Sequence, residues 1–161
     1  MPEPGIREAV ESDVPLIASL IRELADYERL LHEVRLTEAG LRDALFGDRR
    51  YAEVAIAEVA PGQPAGFALF FHNFSTFLGR PGIYLEDLFV RPEHRGAGIG
   101  KALLRHLARL AVERGCGRLE WAVLDWNAAA IAFYQGLGAR PTSGWSVYRL
   151  EGEALDRLAA R

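Results

Sequence analysis

Leu88-Phe89-Val90-Arg91-Pro92-Glu93-His94-Arg95-Gly96-Ala97-Gly98-Ile99-Gly100-Lys101 is the stretch that decides the fold. The apolar run over 83–90 predicts a strand, ended by Arg91-Pro92, because the residue before a proline is steered away from regular continuation. Ile99, Leu103, Leu107 and Leu110 recur at helical spacing, and Gly115 suits the C-cap of that helix. Between strand and helix stand Gly96, Gly98 and Gly100. Glycines let backbone N–H groups approach an anion, and a helix N-terminus adds unpaired donors and a favourable dipole. The turn therefore suits a phosphate or pyrophosphate, with Arg95 and Lys101 adding positive charge. Two nucleotide loops fail on spacing. Counted from Gly96, the third glycine of G-x-G-x-x-G falls on Lys101. A Walker A loop needs glycine where Arg95 stands and Ser or Thr where Ala102 stands. What fits is Arg-x-x-Gly-x-Gly, on Arg95, Gly98 and Gly100. On the turn alone, a glycine-rich connection without a ligand remains the alternative.

Working outward, Ile6-Arg7 begins a short edge strand. Ser12 reads as the N-cap of a helix over about 13–30, with Leu16, Ile17, Leu20, Ile21, Leu24, Tyr27 and Leu31 at helical spacing. Thr37 caps a second helix through about Leu45. Strands are predicted at 51–59 and 66–74, joined by the turn Pro61-Gly62-Gln63-Pro64. Further on come a strand over 118–124, a short helix over 128–135 ended at Gly136, and a last strand over 146–150. The order β-α-α-β-β-β-α-β-α-β predicts a mixed α/β sheet. Hairpin-joined strands come first and pair antiparallel. The β-α-β unit over 83–124 follows as a parallel crossover. A length of 161 residues without a linker suits one domain, 1–161.

Composition excludes several classes. A formal net charge of −3 gives no electrostatic case for nucleic acid. One cysteine, Cys116, rules out an internal disulfide and a cysteine zinc site, and the four histidines lack metal-ligand spacing, so no metal is expected. Met1-Pro2-Glu3-Pro4-Gly5 has no basic start before an apolar run. No apolar run approaches the roughly 20 residues of a membrane span. The cytoplasm is the expected compartment.

The signature over 88–100 resembles the coenzyme motif of the GCN5-related N-acetyltransferase (GNAT) superfamily. Asn127, Phe133-Tyr134 and Leu137-Gly138-Ala139 resemble its second block. Ile6-Arg7, Leu24-Ala25, Tyr27-Glu28, Leu36-Thr37-Glu38, Tyr84-Leu85-Glu86-Asp87, Trp126-Asn127 and Gly144-Trp145 resemble the diamine (spermidine/spermine) and thialysine acetyltransferase branch over nearly the whole chain. The resemblance implies acetyl-CoA as co-substrate, a small primary amine as acceptor and a homodimer. It implies that the backbone of Leu88, Phe89 and Val90 pairs with the pantetheine arm and that Arg95, Gly96, Ala97, Gly98, Ile99, Gly100 and Lys101 hold the pyrophosphate. It further implies that Asn127, Ala128, Ala129 and Ala130 line the coenzyme and that Tyr134 stands near its sulfur. Polyamine-accepting members carry acids just before the Gly-Trp pair. Here Pro141-Thr142-Ser143 stand there, so a contact for a distal ammonium is missing.

Acetyl transfer needs a neutral amine. A lysine-like amine with a pKa of about 10.4 costs roughly 4 kcal/mol to deprotonate at neutral pH. Glu86 is the candidate base and Asp87 a candidate substrate ligand; neighbouring strand residues face opposite ways, so only a bulge brings both to one site. Tyr27 and Glu28 are candidates for substrate contact, with helix packing and surface charge as their alternatives. The amides of Phe89 or Val90 suit an oxyanion, and Tyr134 can protonate the leaving thiolate. Two other functions compete. One is acetylation of protein lysines or N-termini, which needs an open, peptide-wide groove that a loop over 72–82 would open or close. The other is an acyl-CoA-binding sensor or structural dimer, which keeps the glycine turn but needs neither Glu86 nor Tyr134.

Overall fold

Val54, Ile56, Phe67, Leu69 and Phe89 share one face of a five-stranded sheet and are buried there against Ile17, Leu20 and Leu24 of a long helix. The computed structural model describes residues 4–160. Met1-Pro2-Glu3, part of the N-terminal pattern discussed above, lies outside them. The chain divides into Met1–Leu124 and Asp125–Arg161.

In the first unit the strands are β1 (Gly5–Glu8), β2 (Glu53–Ala60), β3 (Gln63–Ser75), β4 (Arg80–Val90) and β5 (Leu119–Trp121), in the spatial order β1-β2-β3-β4-β5. The first four pair antiparallel and β4 pairs β5 in parallel, as the element order predicts. Helices α1 (Val14–Tyr27) and α2 (Glu38–Phe46) precede β2, and α3 (Ile99–Glu113) joins β4 to β5. Ala55, Ala68, Phe70 and Leu85 are buried on the opposite face, where α3 supplies Leu103 and Leu107.

Several boundaries moved for physical reasons. Ser12 does not cap α1. It lies inside a 3-10 turn, Glu11–Asp13, whose Asp13 carboxylate accepts the Val10 N–H at 2.8 Å. At its other end α1 stops at Tyr27, not near 30, because Arg29 takes a left-handed conformation (φ 63°). There the Leu30 N–H reaches the Ala25 carbonyl at 2.8 Å and the Arg29 N–H reaches Asp26 at 3.0 Å. Thr37 caps α2 as expected, its hydroxyl accepting the Gly40 N–H at 3.1 Å. The segment over 72–82 is not a loop. β3 and β4 continue through most of it, and only 76–79 turn, held by the Leu78 N–H on the Ser75 hydroxyl and by Gly79 at φ 64°.

In the second unit, α4 (Ala128–Gly136) starts where expected, capped by the Asn127 side chain on the Ala130 N–H at 3.2 Å. The strand expected over 146–150 is not formed. Val147 and Tyr148 are exposed, and no described residue offers these positions a ladder. A helix that was not expected, α5 (Gly152–Ala159), follows, with an Arg157–Glu153 pair one turn apart at 3.6 Å. No helix among the described residues is long and apolar enough to cross a membrane.

Candidate active site

The glycine turn lies between the end of β4 and α3. Gly96 and Gly98 both sit at φ 80°, a conformation that disfavours any side chain. A Cβ at either would meet nothing within 4 Å, so the surface above the turn is open. Gly98 is the N-cap of α3, and the Ala102 N–H on the Gly98 carbonyl at 2.9 Å opens the helical ladder. The N–H groups of Ile99, Gly100 and Lys101 therefore lack intrahelical acceptors. Arg91 anchors the turn. Its guanidinium grips Glu23 of α1 at 2.9 and 3.1 Å and bonds the Pro64 carbonyl at 3.2 Å. Glu23 is held below its ordinary pKa, chiefly by that hydrogen bond.

β4 carries the bulge that the Glu86-Asp87 pair requires. Phe70 pairs with Leu85, but the next pair is Leu69 with Asp87, so Glu86 is an extra residue. Asp87 therefore shares the α1 face with Leu69, and Glu86, one residue after the opposite-facing Leu85, lies on that face too. Beyond Leu85 the partner on the other side is also lost, since β5 pairs only with Ile83, Tyr84 and Leu85. The Arg91 N–H on the Ala65 carbonyl at 2.8 Å fixes the phase of the β3–β4 ladder. By alternation the backbone of Phe89 is engaged with β3, while Leu88 and Val90 direct theirs to the side that β5 has left. Phe89 itself is buried in the core.

Three carboxylates meet on this face. Burial, then Glu86, then Glu28 push the Asp87 carboxyl up to about 6. Burial also raises Glu28, at the end of α1. Asp87 has no cation among the groups that act on it, and no ion pair to Glu28, Glu86 or Asp87 occurs among the described residues. Among the described residues, no set of three or more acids, histidines or cysteines is close enough to hold a metal ion.

Arg95 is placed where the sequence does not predict. Its guanidinium lies over the Tyr27 ring, 4.7 Å from the centroid, and 5.5 Å from that of Phe89, and its Nε donates to the Val90 carbonyl at 2.9 Å. Lys101 is exposed on the first turn of α3. In the second unit, Tyr134 lies on α4 with its ring 5.4 Å from that of Phe133. Sequence reasoning did not find Arg91 as the anchor of the turn. Its signal was the charge at a strand end, four residues before Arg95.

Comparison with known proteins identifies the family to which this arrangement, a bulged strand running into a glycine-rich helix start, belongs. A model of the acetyltransferase (GNAT) family matches residues 17–139. The chain belongs to the GNAT acetyltransferase family. It is 43% identical to thialysine N-epsilon-acetyltransferase of Bos taurus over 97% of both chains. It is 35% identical to L-ornithine N5-acetyltransferase NATA1 of Arabidopsis thaliana, over 95% of this chain and 86% of that one. Among solved structures, an integron cassette protein from the mobile metagenome of V. cholerae superposes with a TM-score of 0.82 at 29% identity over the full length of both chains. The protein is thus an acetyltransferase, and the expected mixed α/β GNAT-like fold is the one it has.

Proposed function

We propose that this acetyltransferase moves an acetyl group from acetyl-CoA to the primary amine of a small diamine, polyamine or thialysine-like molecule. The observation that carries this reading is the trio Glu28, Glu86 and Asp87, three acids without a cation beside the open edge of β4. An ammonium group supplies the missing counter-charge. The names of the thialysine and ornithine acetyltransferases to which the chain is similar support the same class of acceptor. On the family resemblance, the chain acts as one domain over 1–161 and as a homodimer in the cytoplasm.

Acetyl-CoA supplies an activated acetyl group as a thioester. The residues fit such a partner. Gly96, Ala97, Gly98, Ile99, Gly100 and Lys101 present N–H groups and a cation to the pyrophosphate, and the outward backbone of Leu88 and Val90 offers a strand-like ladder to the pantetheine arm. Asn127, Ala128, Ala129 and Ala130 are assigned to the coenzyme by resemblance. Tyr27, Glu28 and Asp87 hold the amine, and Glu86 with Asp87 removes its proton. The Val90 amide, not that of Phe89, is the donor left for developing negative charge on the acyl oxygen. Tyr134 gives its phenolic proton to the leaving thiolate.

The reading is tested by incubating the protein with acetyl-CoA and a panel of diamines, polyamines, thialysine, ornithine and lysine peptides, following free thiol and product mass. Small amines are expected to be acetylated in preference to peptides; no thiol release with any amine sinks the reading. Tyr134→Phe is expected to lower kcat by about a hundredfold while coenzyme Kd, measured by calorimetry, stays within about twofold.

A further inference from the structure

Arg95 belongs by sequence to the pyrophosphate turn, yet its side chain touches the other end of the reaction. Its guanidinium covers Tyr27, the last residue of α1, and its Nε is tied to the Val90 carbonyl on β4. A cation near the C-terminal end of α1 is also favoured by the helix dipole. Glu28, the next residue, acts electrostatically on Asp87, so the end of α1 and the bulge of β4 face a common space. Arg95 does not supply the missing counter-charge, since it is not among the groups acting on Asp87.

We propose that Arg95 is a positioning residue for the amine: stacked on Tyr27 and bonded to Val90, it clamps the Tyr27–Glu28 end of α1 against β4 and so sets the geometry of the acceptor site. This rests on reading Tyr27, Glu28, Glu86 and Asp87 as that site. The clamp links the two substrates, because its anchor, Val90, is one of the two residues whose backbone faces the coenzyme arm.

The test is steady-state kinetics at saturating acetyl-CoA, with coenzyme Kd measured separately by calorimetry, on Arg95→Gln, Arg95→Lys, Tyr27→Leu, Asp87→Asn and the Arg95→Gln/Tyr27→Leu pair. Arg95→Gln and Tyr27→Leu are each expected to raise the amine KM about tenfold. The pair is expected to be no worse than either alone, since both break one contact. Arg95→Lys, which keeps a cation over the ring, recovers most of the loss. Tyr27→Leu leaves coenzyme Kd within about twofold. The clamp is overturned if Arg95→Gln raises coenzyme Kd alone, or if the two single effects add in full. If Tyr27→Leu and Asp87→Asn both leave the amine KM unchanged, the acceptor site itself lies elsewhere and the clamp falls with it. If only Tyr27→Leu does so, the acceptor site stands and the clamp alone fails.

Discussion

The double variant Glu86→Gln/Asp87→Asn is expected to lose about a thousandfold in kcat/KM for the amine while becoming more stable at pH 7. The loss follows from removing both proton acceptors and two of the three charges that hold the ammonium. The gain follows from linkage. Asp87 is raised from the ordinary aspartate value to about 6 by burial, Glu86 and Glu28. The folded state therefore binds a proton more tightly than the unfolded chain. Stability falls as pH rises from about 4 to about 6, and the whole deficit is present at neutral pH. Fully realised, that rise is worth roughly 3 kcal/mol; Asp87 is partly exposed, which leaves about 1–2 kcal/mol. Asp87→Asn alone then raises Tm at pH 7 by about 4 °C and leaves it unchanged at pH 4, measured by calorimetry. Activity has the opposite sign. In the native protein kcat/KM falls as pH drops through about 6, where Asp87 takes up a proton and the site loses a negative charge, and Asp87→Asn removes that limb. Misfolding cannot imitate the combination of higher Tm and lower turnover, so it separates a functional acid from a structural one. Equal or lower Tm in Asp87→Asn, with turnover retained, removes Asp87 from the site.

The bulge behind this prediction was legible only as a condition. Two adjacent acids in an apolar strand either point to opposite faces or need an extra residue in the ladder, and the strand sequence does not say which. The register settles it, because Phe70 pairs with Leu85 and Leu69 with Asp87. The glycine turn was legible directly, since positive φ at Gly96 and Gly98 is a local demand that the residue type announces. The contact of Arg95 with Tyr27 was not, because the two residues are distant in sequence and no local pattern announces a stacked pair. The strand expected over 146–150 failed for a related reason. Val147, Tyr148 and Leu150 carry strand propensity, but a strand exists only where another backbone completes its hydrogen bonds. The early stop of α1 likewise turns on Arg29 in a left-handed conformation that nothing about an arginine foretells.

Arg7→Ala is expected to cost about 3 kcal/mol of stability at pH 7, lowering Tm by about 8 °C. Arg7 on β1 forks onto Asp13 at 2.8 and 3.0 Å and reaches Glu58 of β2 at 2.9 Å, so it joins the edge strand, the start of α1 and the second strand. The Asp13 side chain is only 12% exposed and the Glu58 side chain 15%, whereas that of Arg7 is 38% exposed. Deleting the arginine therefore strands two poorly solvated carboxylates beside each other, which costs more than the pair itself contributes. Asp13 is held below its ordinary pKa, first by the Arg7 hydrogen bond, against a burial effect of opposite sign. Its share of stability is present above the unfolded aspartate value and is lost as pH falls through the lower folded value. The gap between native protein and Arg7→Ala should thus be widest near neutrality and close in acid, as Asp13 takes up its proton. Asp13→Asn keeps the Val10 N–H acceptor but drops the charge, so it should cost less than Arg7→Ala. The double variant should cost less than the sum of the two, measured by urea unfolding across pH. Additive losses, or a gap unchanged by acid, show that Arg7 stabilises by packing its stem and not by neutralising Asp13.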